Sequence, residues 1–406
     1  MLAPHPFYQA RGTPIAADLV LRVLSERGDK VDLVVFPEGK DVQYPNVSIY
    51  RTPAFKILSN VRPGFSWQKL VCDAFLLLQA IRLAKSNRYD VIHAGEEAVF
   101  IALLLKKVFG IPYVYDMDSS LAQQLIDKSP QLQFAKRFFQ ACENLAVRNA
   151  KAVIAVCQAL ATEIQPYRPQ KVAIIPDISM LNAPKTRIQG AQNTAGLAPQ
   201  MPVDDLKTQL GIAGPLMMYV GNLESYQGID LLLASFAKAL PKSPTAHLVA
   251  IGGTPDDIQK YQAQADRLNI SANVHFVGPR PIAQLKPYLD QADMVVSPRT
   301  QGNNTPMKLY SYLDSGKALL ATNLTTHTQV LNCQIAWLAE PTVTAFAEGI
   351  SHLINHPDLR LSLGKAAQAY IAREHTYEVF SQKLSGLYSW IEDQQPIDSA
   401  PSAIAQ

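Results

Sequence analysis

Short apolar, β-branched runs alternate with stretches of helical periodicity almost from one end of this chain to the other, and that alternation leaves few folds open to it. Val31–Phe36, Asp90–His93, Pro112–Asp116, Ala152–Val156 and Val172–Ile175 read as strands, and Met1-Leu2-Ala3-Pro4 as the end of a first one. Ile15–Arg27, Lys69–Ala84, Glu97–Val108 and Gln131–Ala150 read as the helices between them. Strand, helix, strand at this spacing builds βαβ units and hence a parallel sheet. Helices cover such a sheet on both faces, so its strands are apolar throughout rather than at alternate positions. The abrupt start, with a strand already ending at Pro4, implies that further residues precede Met1 in the natural chain.

The second half repeats the grammar. Leu216–Val220, His247–Ile251, Asn273–Phe276, Met294–Ser297 and Ala318–Ala321 are strand-like, and Gly228–Ala239, Pro255–Leu268, Ile282–Ala292 and Thr305–Ser315 are helical. Between the halves, Ile178–Gly214 is rich in Ala, Gln, Pro and Gly and lacks periodicity, as a linker or excursion would. Three helical runs, Thr342–His356, Asp358–Glu374 and Tyr377–Glu392, end the chain before a polar tail. With 406 residues, two doubly wound α/β domains follow. The expected division is 1–178, a linker at 179–214, a second domain at 215–376 and a tail at 393–406.

Composition narrows the function. Thirty-seven Lys+Arg against 34 Asp+Glu leave a net charge of +3, too little for the dense basic face of a nucleic-acid-binding domain. Cys72, Cys142, Cys157 and Cys333 show no metal-ligand spacing and read as buried small residues in a reducing compartment. No apolar run approaches the roughly 20 residues of a membrane span. A cytoplasmic protein without metal or cofactor is expected, with peripheral association at the inner membrane left open. Lys69–Ala84 and Lys106-Lys107-Val108-Phe109 are where lipid contact would fall, although the first reads more readily as core and the second as ordinary surface.

Open parallel sheets bind ligands at the carboxyl ends of their strands, so the loops there hold the candidates. HPFYQARG ends in Arg11 and Gly12 before a helix, offering a cation and backbone N–H groups, or simply a tight turn. His93-Ala94-Gly95-Glu96-Glu97 and Tyr115-Asp116-Met117-Asp118-Ser119-Ser120 bring an imidazole and carboxylates to strand ends, where they would bind sugar hydroxyls or cap the next helix. Val220-Gly221-Asn222-Leu223-Glu224-Ser225-Tyr226-Gln227-Gly228 is a glycine loop entering a helix. The richest segment is Ser297-Pro298-Arg299-Thr300-Gln301-Gly302-Asn303-Asn304-Thr305-Pro306-Met307-Lys308. So many small polar residues serve no core, and Arg299 and Lys308 suit a diphosphate. His327 reads as a cap or a solvent residue.

Several segments, in order and spacing, resemble glycosyltransferase family 4: HPFYQARGTPIAADLVLRVLSERG, IPYVYDMDSS, MYVGNLESYQGIDLLL, VHFVGPRPIAQLKPYL, ADMVVSPR and MKLYSYLDSGKALLAT among them. The resemblance covers nearly the whole chain. It implies the GT-B fold, with two Rossmann-like domains facing across a cleft, an acceptor on the first and a nucleotide-sugar donor on the second. It implies metal-independent transfer with retention and a helix near 377–392 that crosses back to the first domain. Gly12, Gly221 and Gly278 fall at its donor-side glycines, and Thr305, Pro306 and Met307 in its donor loop. Arg11, His93, Glu96 and Asp116 fall on the acceptor side, and Asp118 and Lys308 where catalysis is expected.

Where the family usually has two glutamates eight positions apart, this chain has Asn303 and Ser311; where it has Arg and Lys in the first glycine loop, Asn222 and Gln227 stand; where a histidine is common, Asp118 stands. Arg299 and Lys308 would then replace the missing cations from the other loop, with Asn303, Asn304 and Ser311 as neutral sugar ligands. The function implied is sugar transfer from a nucleotide-diphosphate sugar to a hydroxyl acceptor (a glycan, a glycolipid or a small molecule), with polysaccharide or glycolipid assembly as the setting the resemblance suggests. The alternative is a degenerate relative that binds a nucleotide sugar, glycan or protein without turnover. A dehydrogenase or epimerase is disfavoured by the lack of G-x-G-x-x-G.

Overall fold

The computed structural model describes residues 1–9, 12–54, 67–123, 134–184 and 205–394. Its contacts divide the chain into two units: Met1–Ile175 with the returning segment from Glu378, and, among the described residues, Pro176 to Tyr377.

The first unit holds a seven-stranded, wholly parallel sheet. Its strands are β1 (Leu2–Ala3), β2 (Val31–Val35), β3 (Val47–Arg51), β4 (Ile92–Gly95), β5 (Tyr113–Met117), β6 (Ala152–Ala155) and β7 (Val172–Ile174), in the order β3-β2-β1-β4-β5-β6-β7. Its helices are α1 (Gly12–Arg27), α2 (Trp67–Ser86), α3 (Ala98–Phe109), α4 (Lys136–Asn149) and α5 (Gln158–Glu163). From β1 the chain winds toward β3; from β4 it winds toward β7. The reversal between β1 and β4 opens a crevice at their carboxyl ends. The α2–α5 side of the sheet is sealed by one apolar cluster that includes Leu76, Val99, Tyr115, Val147 and Leu160, each at most 3% exposed.

The second unit holds a six-stranded parallel sheet, β8 (Leu216–Val220), β9 (His247–Ile251), β10 (Val274–Gly278), β11 (Met294–Ser297), β12 (Ala318–Thr322) and β13 (Trp337–Ala339), ordered β10-β9-β8-β11-β12-β13. The reversal here lies between β8 and β11. Its helices are α6 (Leu206–Gln209), α7 (Ile229–Ala239), α8 (Pro255–Arg267), α9 (Leu285–Gln291), α10 (Lys308–Asp314), α11 (Thr325–Thr328), α12 (Val343–Asn355) and α13 (Pro357–Glu374). One core packs each sheet face: Phe236, Leu320 and Phe346 belong to one, Leu289, Val295, Leu313 and Leu319 to the other, all fully buried. Thr254 and Asp257 start α8 with a reciprocal capping box. The last helix, α14 (Tyr377–Asp393), buries Leu384, Leu387, Tyr388 and Ile391, and Arg27 at the end of α1 bonds Ser385 and Glu392 on it.

Three expectations need correction. The strands β3 and β13 were not visible in the pattern. β3 is only partly covered along its length, so it lacks the continuous apolar run of its neighbours. Cys333 is exposed and Cys142 half-buried; Cys72 and Cys157 alone are buried. Within the expected linker, Leu206–Gln209 is a helical turn, with Asp205 accepting the Thr208 N–H. Arg11, Gln131 and residues 185–204 lie outside the described residues.

Candidate functional site

The strongest candidate sits where the second sheet reverses. The loops after β8 and β11 flank that point, and the chain locks them together. Thr300 N–H donates to the Tyr226 carbonyl at 3.0 Å. Gly228 lies so close to Pro298 that a Cβ would overlap its carbonyl oxygen, and φ there is +75°. Only glycine satisfies both conditions.

This clasp brings the two predicted cations to one place. Lys308 Nζ donates to Gln227 Oε1 at 2.9 Å, lies 4.1 Å from the Tyr219 ring centre and is 3.2 Å from where a Gly221 Cβ would stand. Arg299 is 7% exposed. It donates to the Gln301 carbonyl at 2.7 Å and to Asn304 Oδ1 at 2.9 Å, and its guanidinium lies 5.1 Å from the Tyr226 ring centre. The guanidinium also fills the space a Gly302 side chain would need. Among the described residues neither cation is ion-paired with a carboxylate. Burial lowers the Lys308 pKa well below its ordinary value, and the charge of Arg299 lowers it further. Burial likewise depresses Arg299. Two adjacent, desolvated cations without an acid are arranged for an anion that arrives from outside.

The other predicted residues of this unit divide. Asn304 is taken up by Arg299 and, through its carbonyl, by the Thr326 hydroxyl at 2.7 Å. Asn303 is exposed, its carbonyl held by Gln329 at 2.8 Å. Thr305 is buried with its hydroxyl unpartnered, Pro306 is buried beside it, and Met307 is half-buried. Asn222 is exposed at the tip of its loop. Gly278 ends β10 and accepts the Gly252 N–H at 2.9 Å, one strand further along the edge. Ser311 does not join the cluster: it is buried and accepts the Met180 N–H at 3.0 Å.

His327 is not a solvent residue. It is fully buried under the Arg299 loop, with Nε2 2.9 Å from Ser297 Oγ and Nδ1 2.9 Å from the Thr322 carbonyl. Thr322 Oγ1 in turn donates to the Arg299 carbonyl at 2.6 Å. A carbonyl only accepts, so Nδ1 carries the proton and Nε2 accepts from the serine. Burial pushes the His327 pKa down to about 4, and the Lys308 and Arg299 charges add to the effect.

In the first unit a small concavity opens at the β1/β4 reversal, lined in part by His5, Thr13, His93, Gly95, Asp116 and Asp118. His93 is 3% exposed, with Nε2 3.0 Å from Asp116 Oδ2 and Nδ1 2.8 Å from the Tyr388 hydroxyl of α14. A carboxylate accepts, so Nε2 donates to Asp116 and the tyrosine donates to Nδ1. Tyr388 stays protonated because burial raises its pKa far above the ordinary value. Ser120 caps the turn that follows, accepting the Gln123 N–H. Glu96 has φ +48°, and Gly12 opens α1 with nothing within 4 Å of its Cβ position. Glu97 is ion-paired with Lys69.

Two doubly wound units, each with its candidate residues at the sheet reversal, define the GT-B class of fold. Solved structures agree. Sucrose-phosphate synthase from Thermosynechococcus elongatus superposes with a TM-score of 0.76 at 18% identity over 97% of both chains. Anabaena HepE in complex with UDP gives 0.69 at 18% identity over 96% of this chain and 99% of its own. D-inositol 3-phosphate glycosyltransferase of Corynebacterium diphtheriae is 22% identical over 403 residues, covering 91% of this chain and 87% of that protein. The family model described as Glycosyltransferase Family 4 matches residues 12–177, and that described as Glycosyl transferases group 1 matches 204–370. The chain belongs to this group 1 and family 4 assembly of glycosyltransferases.

Proposed function

We propose that this glycosyltransferase takes its sugar from a nucleotide diphosphate held at the β8/β11 reversal, and transfers it with retention and without a metal to a hydroxyl acceptor. One observation carries the donor assignment: the buried Arg299 and the half-buried Lys308, its ammonium desolvated, stand together with no carboxylate paired to either among the described residues. Charge-assisted hydrogen bonds contribute about 1.5–3 kcal/mol each, so a diphosphate bridging both cations would be held firmly. As the bond to the sugar breaks, negative charge grows on the leaving diphosphate, and fixed cations stabilise it with little reorganisation. Gln227 steadies Lys308 at 2.9 Å, so a neutral residue in the first loop positions a cation supplied by the second. In the first unit, Asp116 is oriented by His93 at 3.0 Å, as suits a carboxylate that accepts a hydrogen bond from an acceptor hydroxyl. HepE structures hold UDP and UDP-glucose, which makes UDP-glucose the first donor to try.

The test is calorimetric binding of UDP, GDP, ADP and the parent nucleosides, with transfer assayed over the matching sugars. Lys308→Ala and Arg299→Ala should each weaken the preferred nucleoside diphosphate by roughly tenfold or more, and leave the nucleoside unaffected. Unchanged diphosphate affinity in both variants overturns the assignment.

A further inference from the structure

Among the described residues, every exposed large hydrophobic side chain except Val343 and Leu361 lies between Trp67 and Leu145. They are ordered, not scattered. On α2, Trp67, Leu70 and Leu78 share the outward face; on α3, Phe100, Leu104 and Val108 recur every fourth residue; on α4, Phe138 and Leu145 stand seven apart. The opposite faces of the same helices, with Leu76, Ala102 and Ala146, are in the core. The three helices connect β3 to β4, β4 to β5 and β5 to β6, stepping the same way across the sheet. Right-handed crossovers place them on one side, and α3 touches both neighbours. The stretch Lys69–Ala84 is therefore core on one face only; among the described residues nothing covers Leu70 and Leu78 on the other. A helix layer normally turns charge to water, and an apolar one marks a surface that binds.

The charges say what it binds. The acids on these helices are Asp73, half-buried, and Glu143, buried. The exposed charges are all positive: Arg82 and Lys85 on α2, Lys107 on α3, Arg137 and Arg148 on α4. Two copies of such a face would repel each other, whereas an anionic surface complements it. Apolar and basic side chains are interspersed along the layer, Lys107 beside Val108 and Arg137 beside Phe138, with Arg82 and Lys85 following Leu78.

We propose that the α2–α3–α4 face docks the first unit on an anionic membrane, its aromatic and aliphatic side chains at the acyl boundary and its cations at lipid phosphates. Attachment is peripheral: among the described residues no helix is long and apolar enough to cross a membrane.

Sedimentation of the full chain with phosphatidylcholine vesicles, with and without phosphatidylglycerol, tests this. Binding should require the anionic lipid and weaken with salt. It should fall by roughly tenfold or more in Arg82→Glu/Lys107→Glu/Arg148→Glu and again in Leu78→Glu/Leu104→Glu/Phe138→Glu. Both sets are exposed, so thermal melting should be unchanged. No binding, equal binding to neutral vesicles, or indifference to the charge reversals overturns the proposal, as does self-association that the apolar variants abolish. The donor assignment is tested separately by Lys308→Ala, whose outcome does not alter vesicle binding.

Discussion

Burying an ammonium beside a guanidinium costs free energy in any protein, and the cost is relieved when an anion arrives. For Lys308 this gives a directional prediction. Its pKa lies well below that of an ordinary lysine, through burial first and Arg299 second, and a bound diphosphate raises it again. Nucleotide binding should therefore take up protons and weaken as pH rises. Calorimetry in buffers of different ionisation enthalpy measures this, and Lys308→Met should abolish the uptake. His327 makes a second prediction, about stability. Its folded pKa of about 4 lies below the ordinary 6.5, so the unfolded chain binds the proton more readily. This contribution is complete above pH 6.5 and drains away as pH falls toward 4, by about 3 kcal/mol. Thermal melts across that window should show the wild type losing more than His327→Gln, which starts lower but does not titrate. Arg299 and Lys308 could be picked out in the sequence because a dense run of small polar residues after an apolar strand has no packing purpose. His327 and Tyr388 could not. Nothing local distinguishes a histidine under a loop from one in water, and the partner of His93 lies 295 positions away.

At the scale of elements, the site depends on two loops gripping each other. Gly228→Ala places a methyl group into the Pro298 carbonyl and forces a side chain onto φ +75°. The expected loss is about 2 kcal/mol or more of stability, with nucleotide affinity falling because Gln227 and Lys308 separate. Denaturant unfolding and calorimetry on the same variant measure both, and Gly12→Ala, at an open position, is the control. The pairing of the two loops was half legible. Both follow continuously apolar strands, which marks them as carboxyl-edge loops. That β8 and β11 are neighbours is a matter of strand order, and strand order leaves no periodic trace in a sequence. The same physics explains the overlooked strands. β6 is apolar at every position and β12 at all but its last, whereas β3, at a sheet edge, mixes Ser48 and Arg51 with apolar residues, and β13, at the edge of the other sheet, is only three residues long. Edge strands need only one covered face, so their signal is weak.

For the whole molecule, the doubled strand–helix grammar was enough to read two parallel-sheet units, because each must bury its own helices and sheet. The return of α14 belongs to long-range packing. Phe380, Leu384, Leu387, Tyr388 and Ile391 are all buried on it, along with the Tyr388 bond to His93 and the Arg27 contacts. At about 1.5–3 kcal/mol for each large apolar side chain, removing them takes away roughly 10 kcal/mol, comparable to the whole stability of a domain. A chain ending at Thr376 should therefore lose amide protection in β1, β4 and β5 while the sheet of the second unit stays protected, as hydrogen exchange would show. The return has a further consequence during translation. A ribosome releases all seven strands of the first sheet, then the entire second unit, before residues 378–393 are made. The part that is born first is finished last, and throughout that interval the nascent chain must carry an open seam beside His93.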